Sequence, residues 1–299
     1  MKLHGYFRWR QCSTTALRLL ALLLLMGWQV GAGQNDAALE HPVMVDSNAS
    51  GSQLFVLDSS GNLHALQVGT NKLQESGRFA VSPELTPADM AYASWGGQEA
   101  LLIAGMQAGH GVVMSYSLDG RPLKTWELPN LCSGIDFSAK THSAFVATSD
   151  SREIFRVDLQ GTKSIFVARI SDATKLGPLA FDEAHQTIYV ADVASGRIYE
   201  YALATRTTSV LLTGLSAPTA LSYDPDGRRL YVADPGRRAI YRVDMNSAKP
   251  VASQFAANPL KAPYGMALTS NNQLAVADYA ANSIAVFSGK GALLFRFPE

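Results

Sequence analysis

The sequence predicts an all-β fold built from six copies of a four-stranded antiparallel unit. Three observations carry this: a repeat of about 43 residues, strand-length apolar segments within each copy, and no room between them for helices. The second strand of each unit is the clearest marker. It reads Ile188-Tyr-Val-Ala-Asp192, Leu230-Tyr-Val-Ala-Asp234 and Leu274-Ala-Val-Ala-Asp278 in the sharpest copies. Leu54-Phe-Val-Leu-Asp58, Ala144-Phe-Val-Ala-Thr148 and Leu101-Leu-Ile-Ala-Gly105 are weaker versions. The second residue of each falls at 55, 102, 145, 189, 231 and 275, in steps of 47, 43, 44, 42 and 44. Such a period is the signature of a repeat architecture.

Each unit follows one order. A first apolar strand comes before the marker, as in Pro178–Phe181, Thr219–Tyr223 or Gly265–Leu268. A tight polar turn joins the two, and Asp224-Pro-Asp-Gly227 has the proline and glycine that such turns use. The third strand begins at Ile154, Ile198, Ile240 or Ile284, and a less regular fourth closes the unit, as in Ser209–Leu212 or Ala292–Phe295. Near-continuous apolar runs in the first two strands suit strands covered on both faces. Units of this size match the blades of a β-propeller. A linear solenoid needs polar capping repeats, and the last copy runs to Phe297 without one. A closed six-bladed ring is expected.

The first residues read as an export signal over 1–33. Lys2, Arg8, Arg10 and Arg18 precede a ten-residue apolar run, Leu19–Trp28, and the small residues Val30-Gly-Ala-Gly33 follow. The run is shorter than the roughly 20 residues that cross a bilayer, so the expectation is an exported, periplasmic or extracellular protein without membrane insertion. Cys12 lies before the apolar run, where no lipid would be attached, and Cys132 is then the only cysteine left. Residues 34–299 must therefore hold together by core burial as one domain. Removing the four leader cations from the chain's 25 leaves 21 basic against 25 acidic residues, a formal −4. No basic run survives, which excludes nucleic acid as the main partner.

Tyr264-Gly-Met-Ala-Leu-Thr-Ser-Asn-Asn-Gln-Leu-Ala-Val-Ala-Asp-Tyr-Ala-Ala-Asn-Ser-Ile-Ala-Val-Phe287 resembles an NHL repeat almost from end to end. Blades 4 and 5 resemble it too, including Arg197 before Ile198; blades 1 to 3 do so in outline. The wider resemblance is to the NHL and SMP-30/gluconolactonase-like six-bladed propellers. It implies the fold, while these propellers serve as enzymes, sensors and scaffolds alike.

Candidate chemistry is sparse. Asp58, Asp192, Asp234 and Asp278 could form a cation-binding ring, but their recurrence fits a turn cap accepting N–H groups just ahead. The loops before the first strand and after the second share one face, the first face, and the other two loop types share the second. The first face gathers His41, Asp89, Cys132, Tyr264, Tyr279 and Asn282, with Arg152, Arg197, Arg237 and Arg238 around them. The arginines are expected to pair locally, Arg152 with Asp150 or Glu153 and Arg237 with Asp234. Gluconolactonase-like relatives put a glutamate before Gly-Pro at the start of blade 1, where this chain has His41-Pro42. Asp89 is read as the only inner acid of the first face. His110, Cys132 and His41 follow no zinc spacing, and no Gly-x-Ser-x-Gly elbow occurs. Gly105–His110 is read as an expanded loop of blade 2.

These readings converge on an exported, non-enzymatic, monomeric binding propeller that presents its first face to a protein, peptide or glycan partner. Tyr264, Asp89, Arg152 and Arg237 are the expected contacts, and no cofactor is expected. The alternative is a metal-dependent lactonase or hydrolase of the gluconolactonase-like group, which would bind a divalent cation such as calcium.

Overall fold

The computed structural model describes residues 39–256 and 259–298. The leader reading of residues 1–33 lies outside them. Twenty-four strands form six four-stranded sheets, and in each the sheet order follows chain order. Blade 1 holds β1 (Pro42–Ser47), β2 (Gln53–Asp58), β3 (Asn62–Val68) and β4 (Leu73–Ala80). Blade 2 holds β5 (Leu85–Trp95), β6 (Gln98–Gln107), β7 (His110–Tyr116) and β8 (Pro122–Leu128). Blade 3 holds β9 (Cys132–Ser138), β10 (Ser143–Thr148), β11 (Glu153–Asp158) and β12 (Ser164–Arg169). Blade 4 follows with β13 (Leu176–Asp182), β14 (Thr187–Asp192), β15 (Arg197–Ala202) and β16 (Thr207–Leu212). Blade 5 is β17 (Ala220–Asp224), β18 (Arg229–Asp234), β19 (Ala239–Asp244) and β20 (Ala252–Ala256). Blade 6 is β21 (Pro263–Leu268), β22 (Leu274–Asp278), β23 (Ser283–Phe287) and β24 (Leu293–Phe297).

The core is divided among the six gaps between blades. Each gap carries one apolar cluster drawn from the two sheets that flank it. Between blades 2 and 3, for example, Leu102, Val113 and Trp126 meet Ile135, Val146 and Phe155. This explains the sequence pattern: a second strand such as Thr187–Asp192 is buried at every position because a neighbouring sheet covers each face.

Ring closure follows from the same packing. Val45, Leu54 and Val56 of blade 1 share a cluster with Ala267, Ala275 and Ile284 of blade 6. Among the described residues no terminal strand is exchanged to close the ring, since each sheet consists of four consecutive strands. The seam relies on close approach instead. A Cβ on Gly265 would lie 2.8 Å from the Met44 Cα, so only glycine lets β21 come this near β1. On the second face, the Ser270 N–H donates to the Gly51 carbonyl at 2.9 Å.

One expectation is overturned. Gly105–His110 is no expanded loop: β6 runs through Gln107 and a two-residue turn, Ala108-Gly109, leads directly into β7. Both turn residues have positive φ, as a tight hairpin requires. The extra length of blade 2 lies at the opposite end. β5 and β6 have 11 and 10 residues, whereas the first and second strands of the other blades have five to seven. Among the described residues no helix is long and apolar enough to cross a membrane.

Candidate functional site

The recurring aspartates are structural, but not through the turn alone. Each is buried, and each reaches back across the sheet to the connector entering its own blade. Asp192 accepts from the N–H groups of Thr174 and Lys175 at 2.7 and 3.0 Å. Asp234 accepts from Ser216 and Ala217 at 2.8 and 3.1 Å, and Asp278 from Lys261 and Ala262 at 3.0 and 2.8 Å. Bonds to the turn ahead are found at Asp192 and Asp58, but the 3₁₀ turns after Asp234 and Asp278 have no such side-chain cap. The carboxylate thus fastens connector to second strand. In blade 2 no side chain takes that role, and the start of β5 itself fills the space: a Cβ on Gly105 would lie 2.2 Å from the Thr86 carbonyl oxygen.

Asp89 has company that the sequence reading missed. Asp46 on β1, Asp89 on β5 and Asp136 on β9 form a set of carboxylates on three consecutive inner strands. Each turns one oxygen to the N–H of its own next residue and the other to the neighbouring blade. Asp46 takes the Tyr92 amide, Asp89 the Ile135 amide at 3.0 Å, and Asp136 the Phe181 amide at 2.7 Å. Burial pushes Asp46 and Asp89 up to about 7 and Asp136 to about 6. Those values already carry coulombic repulsion, from Asp136 on both Asp46 and Asp89 and from Glu183 on Asp136, and the opposing pull of the backbone amides. They retain partial solvent access, so water reaches them.

This trio is a poor home for the divalent cation that gluconolactonase-like relatives imply. A calcium site needs six or more oxygens free to point at one ion. Here both oxygens of each carboxylate already face amides, and among the described residues no three His, Cys, Asp or Glu side chains come together as a metal site. The residues do not fit that group.

The other first-face residues are also committed locally. Arg152 donates to the Ser171 and Ala173 carbonyls at 3.3 and 3.2 Å, not to Asp150 or Glu153 as expected. Glu153 instead meets Arg169, and Asp150 lies 4.0 Å from Lys175. Arg237 does sit near Asp234, at 3.7 Å, and donates to the Gly214 carbonyl. Tyr264 is half-buried against Tyr279, their rings 5.3 Å apart. His41 also packs its ring on Tyr279, at 4.9 Å, and is held by Asn282 and the Tyr279 carbonyl. The structure therefore brings His41, Tyr264, Tyr279 and Asn282 together as the seam between blades 6 and 1, while Asp89, Arg152 and Arg237 remain apart in blades 2, 3 and 5. Burial pushes the Cys132 thiol up to about 12, out of nucleophile range.

A built recess lies on the second face, between blades 2 and 3. Beyond the level of Leu102, the β5–β6 hairpin continues for four residue pairs, ending at Trp95 and Gln98. The hairpins of blades 3, 4 and 5 stop after two, at Ser138 and Ser143, Asp182 and Thr187, or Asp224 and Arg229. The two added pairs lift the hairpin by about 7 Å, and Gly96-Gly97 turn it with φ of 56° and 80°. The tip leans on blade 3 through Trp95 and Phe137, whose rings are 6.4 Å apart. Behind it lies a cavity of about 750 Å³ lined by Trp95, Gln98, Glu99, Ser115, Leu123, Lys124, Trp126 and Gln160, among others. Lys124 lies 4.9 Å above the Trp126 ring and donates to the Leu159 and Gly161 carbonyls, bridging the wall of blade 2 to the β11–β12 turn. The sequence carried a trace of this feature: the 47-residue step and the Gly-Gly pair after Trp95.

Six four-stranded sheets arranged in a ring define a six-bladed β-propeller. Residues 203–298, which span β16 of blade 4 and all of blades 5 and 6, match the model of the SMP-30/Gluconolactonase/LRE-like region. A comparison with curated proteins finds no match. Among solved structures, a chain of the nidogen/laminin complex is similar with a TM-score of 0.67 at 14% identity, over 79% of this chain and 90% of that one. Streptogramin B lyase is similar with a TM-score of 0.63 at 12% identity, over 88% and 84%. Kuenenia stuttgartiensis hydrazine synthase has a TM-score of 0.60 at 16% identity, over 87% and 80%. At these identities the likeness is one of fold.

Proposed function

We propose that this chain is an exported, non-enzymatic propeller that binds a protein, peptide or glycan through the recess between blades 2 and 3. One observation carries the reading: only blade 2 extends its inner hairpin, and the extension walls a cavity within the roughly 300–1,000 Å³ of ligand sites. The first face offers less, since Arg152, Arg237 and Asp89 are engaged by backbone groups. Chains similar in fold include one from a nidogen/laminin complex and a lyase, so the fold is compatible with either role.

The hydrolase reading draws support from the match over residues 203–298, and a metal measurement separates the two. Purified protein is analysed for bound divalent cations and assayed for lactone hydrolysis with calcium and with chelator. The binding reading expects substoichiometric metal and no chelator-sensitive turnover. One calcium per chain with chelator-sensitive hydrolysis would replace it with the hydrolase.

A further inference from the structure

Resting on that reading of the recess, we infer that its ligand is a neutral oligosaccharide of about two or three residues, as the cavity's size allows. The charges decide against ionic ligands. The Lys124 ammonium is occupied by the Leu159 and Gly161 carbonyls and the Trp126 ring. Arg121, on the adjoining turn, is paired with Asp119 at 3.2 Å. A carboxylate or phosphate entering here finds no uncommitted cation. The single acid beside the recess, Glu99, turns its side chain to the Tyr92 hydroxyl on the blade 1 side of the sheet.

What remains open is chemistry suited to hydroxyl groups. Gln98 is exposed and its amide makes no hydrogen bond among the described residues. Gln160 turns its amide nitrogen toward His142 and leaves its carbonyl open. The two amides offer planar groups that accept from, or bridge, adjacent hydroxyls. Trp95 presents a half-exposed indole at the inner end, and Leu123, 53% exposed, gives an apolar surface at the outer end. Both suit the C–H faces of a sugar ring. β6 and β7, beside the recess, are paired on both edges, so an added strand could pair only with the outer edge of β8.

The tryptophans make the test direct. After residue 33 the chain contains two, Trp95 and Trp126, and both line the recess. Intact exported protein is titrated with chitotriose, maltotriose, cellotriose and the anionic sialyllactose while tryptophan emission is followed. At least one neutral trisaccharide should change the emission saturably, and Trp95→Ala should weaken it about tenfold or more. Gln98→Ala, an exposed change that leaves folding untouched, should weaken it severalfold, while Arg152→Ala on the first face should not. The inference fails if no neutral sugar binds up to about 10 mM, if sialyllactose binds in their place, or if Trp95→Ala and Gln98→Ala keep full affinity. A partner protein crosslinked from position 98 in a chain that binds no sugar would remove the glycan while leaving the recess as the binding surface.

Discussion

Asp192→Ala removes the acceptor that ties the blade 3-to-4 connector to β14. Five donors lose their partner: the Thr174 and Lys175 amides, the Ala194 and Ser195 amides at 3.1 and 3.3 Å, and the Ser195 hydroxyl at 2.6 Å. The turn groups can rotate to water, whereas the connector amides are aimed at the fully buried Asp192 carboxylate. Two stranded N–H groups at about 1–3 kcal/mol each give a loss of about 3–4 kcal/mol. For a domain of this size that is a fall of roughly 6–15 °C in Tm. Asp192→Asn should fall between, since an amide oxygen accepts but its NH₂ faces other donors. Burial opposes ionisation of Asp192, yet the Ser195 hydroxyl and the Thr174 and Lys175 amides hold its carboxyl below the usual range. Its ionised form therefore contributes stability above about pH 4 that is lost as the solution is acidified, and the gap between wild type and Asp192→Ala should narrow near pH 3. Thermal and urea denaturation followed by circular dichroism measure all of this, with Asp226→Ala in the exposed β17–β18 turn as control. An Asp192→Ala protein melting within about 2 °C of wild type would refute the fastening role.

Further outcomes follow from the same structure. The inner carboxyls of Asp46, Asp89 and Asp136 are raised to about 7, 7 and 6, so they hold protons the unfolded chain has released; their contribution is full below about pH 4 and is lost as pH rises to 7. The unfolding free energy from urea melts should fall over that range by about 1–2 kcal/mol per group, because partial exposure softens the burial, and Asp89→Asn should flatten the slope; an unchanged slope would count against the assignment. Gly105→Ala must push the Thr86 carbonyl away and should cost about 2–3 kcal/mol in a chemical melt, whereas a neutral result would mean that the start of β5 is loosely held. Deleting 261–299 uncovers the apolar faces of blades 5 and 1, so the product should aggregate or melt without cooperativity; a sharp two-state melt would contradict the closed ring.

The fold was legible because packing on both faces imposes one apolar grammar on each second strand, and Tyr-Val-Ala-Asp repeats it where the blades are most alike. Strand starts were read one or two residues late, as at Ile198 against Arg197, because a first residue pointing to solvent carries no apolar signal. Asp46 and Asp136 were missed because they sit singly in apolar inner strands of the least regular blades. Aligning blade 1 with blade 3 would have found them, since they stand opposite Phe55 and Phe145 in the same register. The recess depends on how far one hairpin overshoots its neighbours. The sequence holds the extra residues but not their placement, and Gly105–His110 was credited with length that belongs to Trp95–Gln98.

The placement of the binding surface is tested most directly by photocrosslinking in the native host. A benzophenone amino acid is placed at Gln98 or Gln160 in the recess, and at Arg152 or Tyr264 on the first face, each variant being checked for an unchanged melt. Binding in the recess predicts ligand adducts from positions 98 and 160 and none from 152 and 264. Adducts confined to 152 and 264 would move the binding surface to the first face.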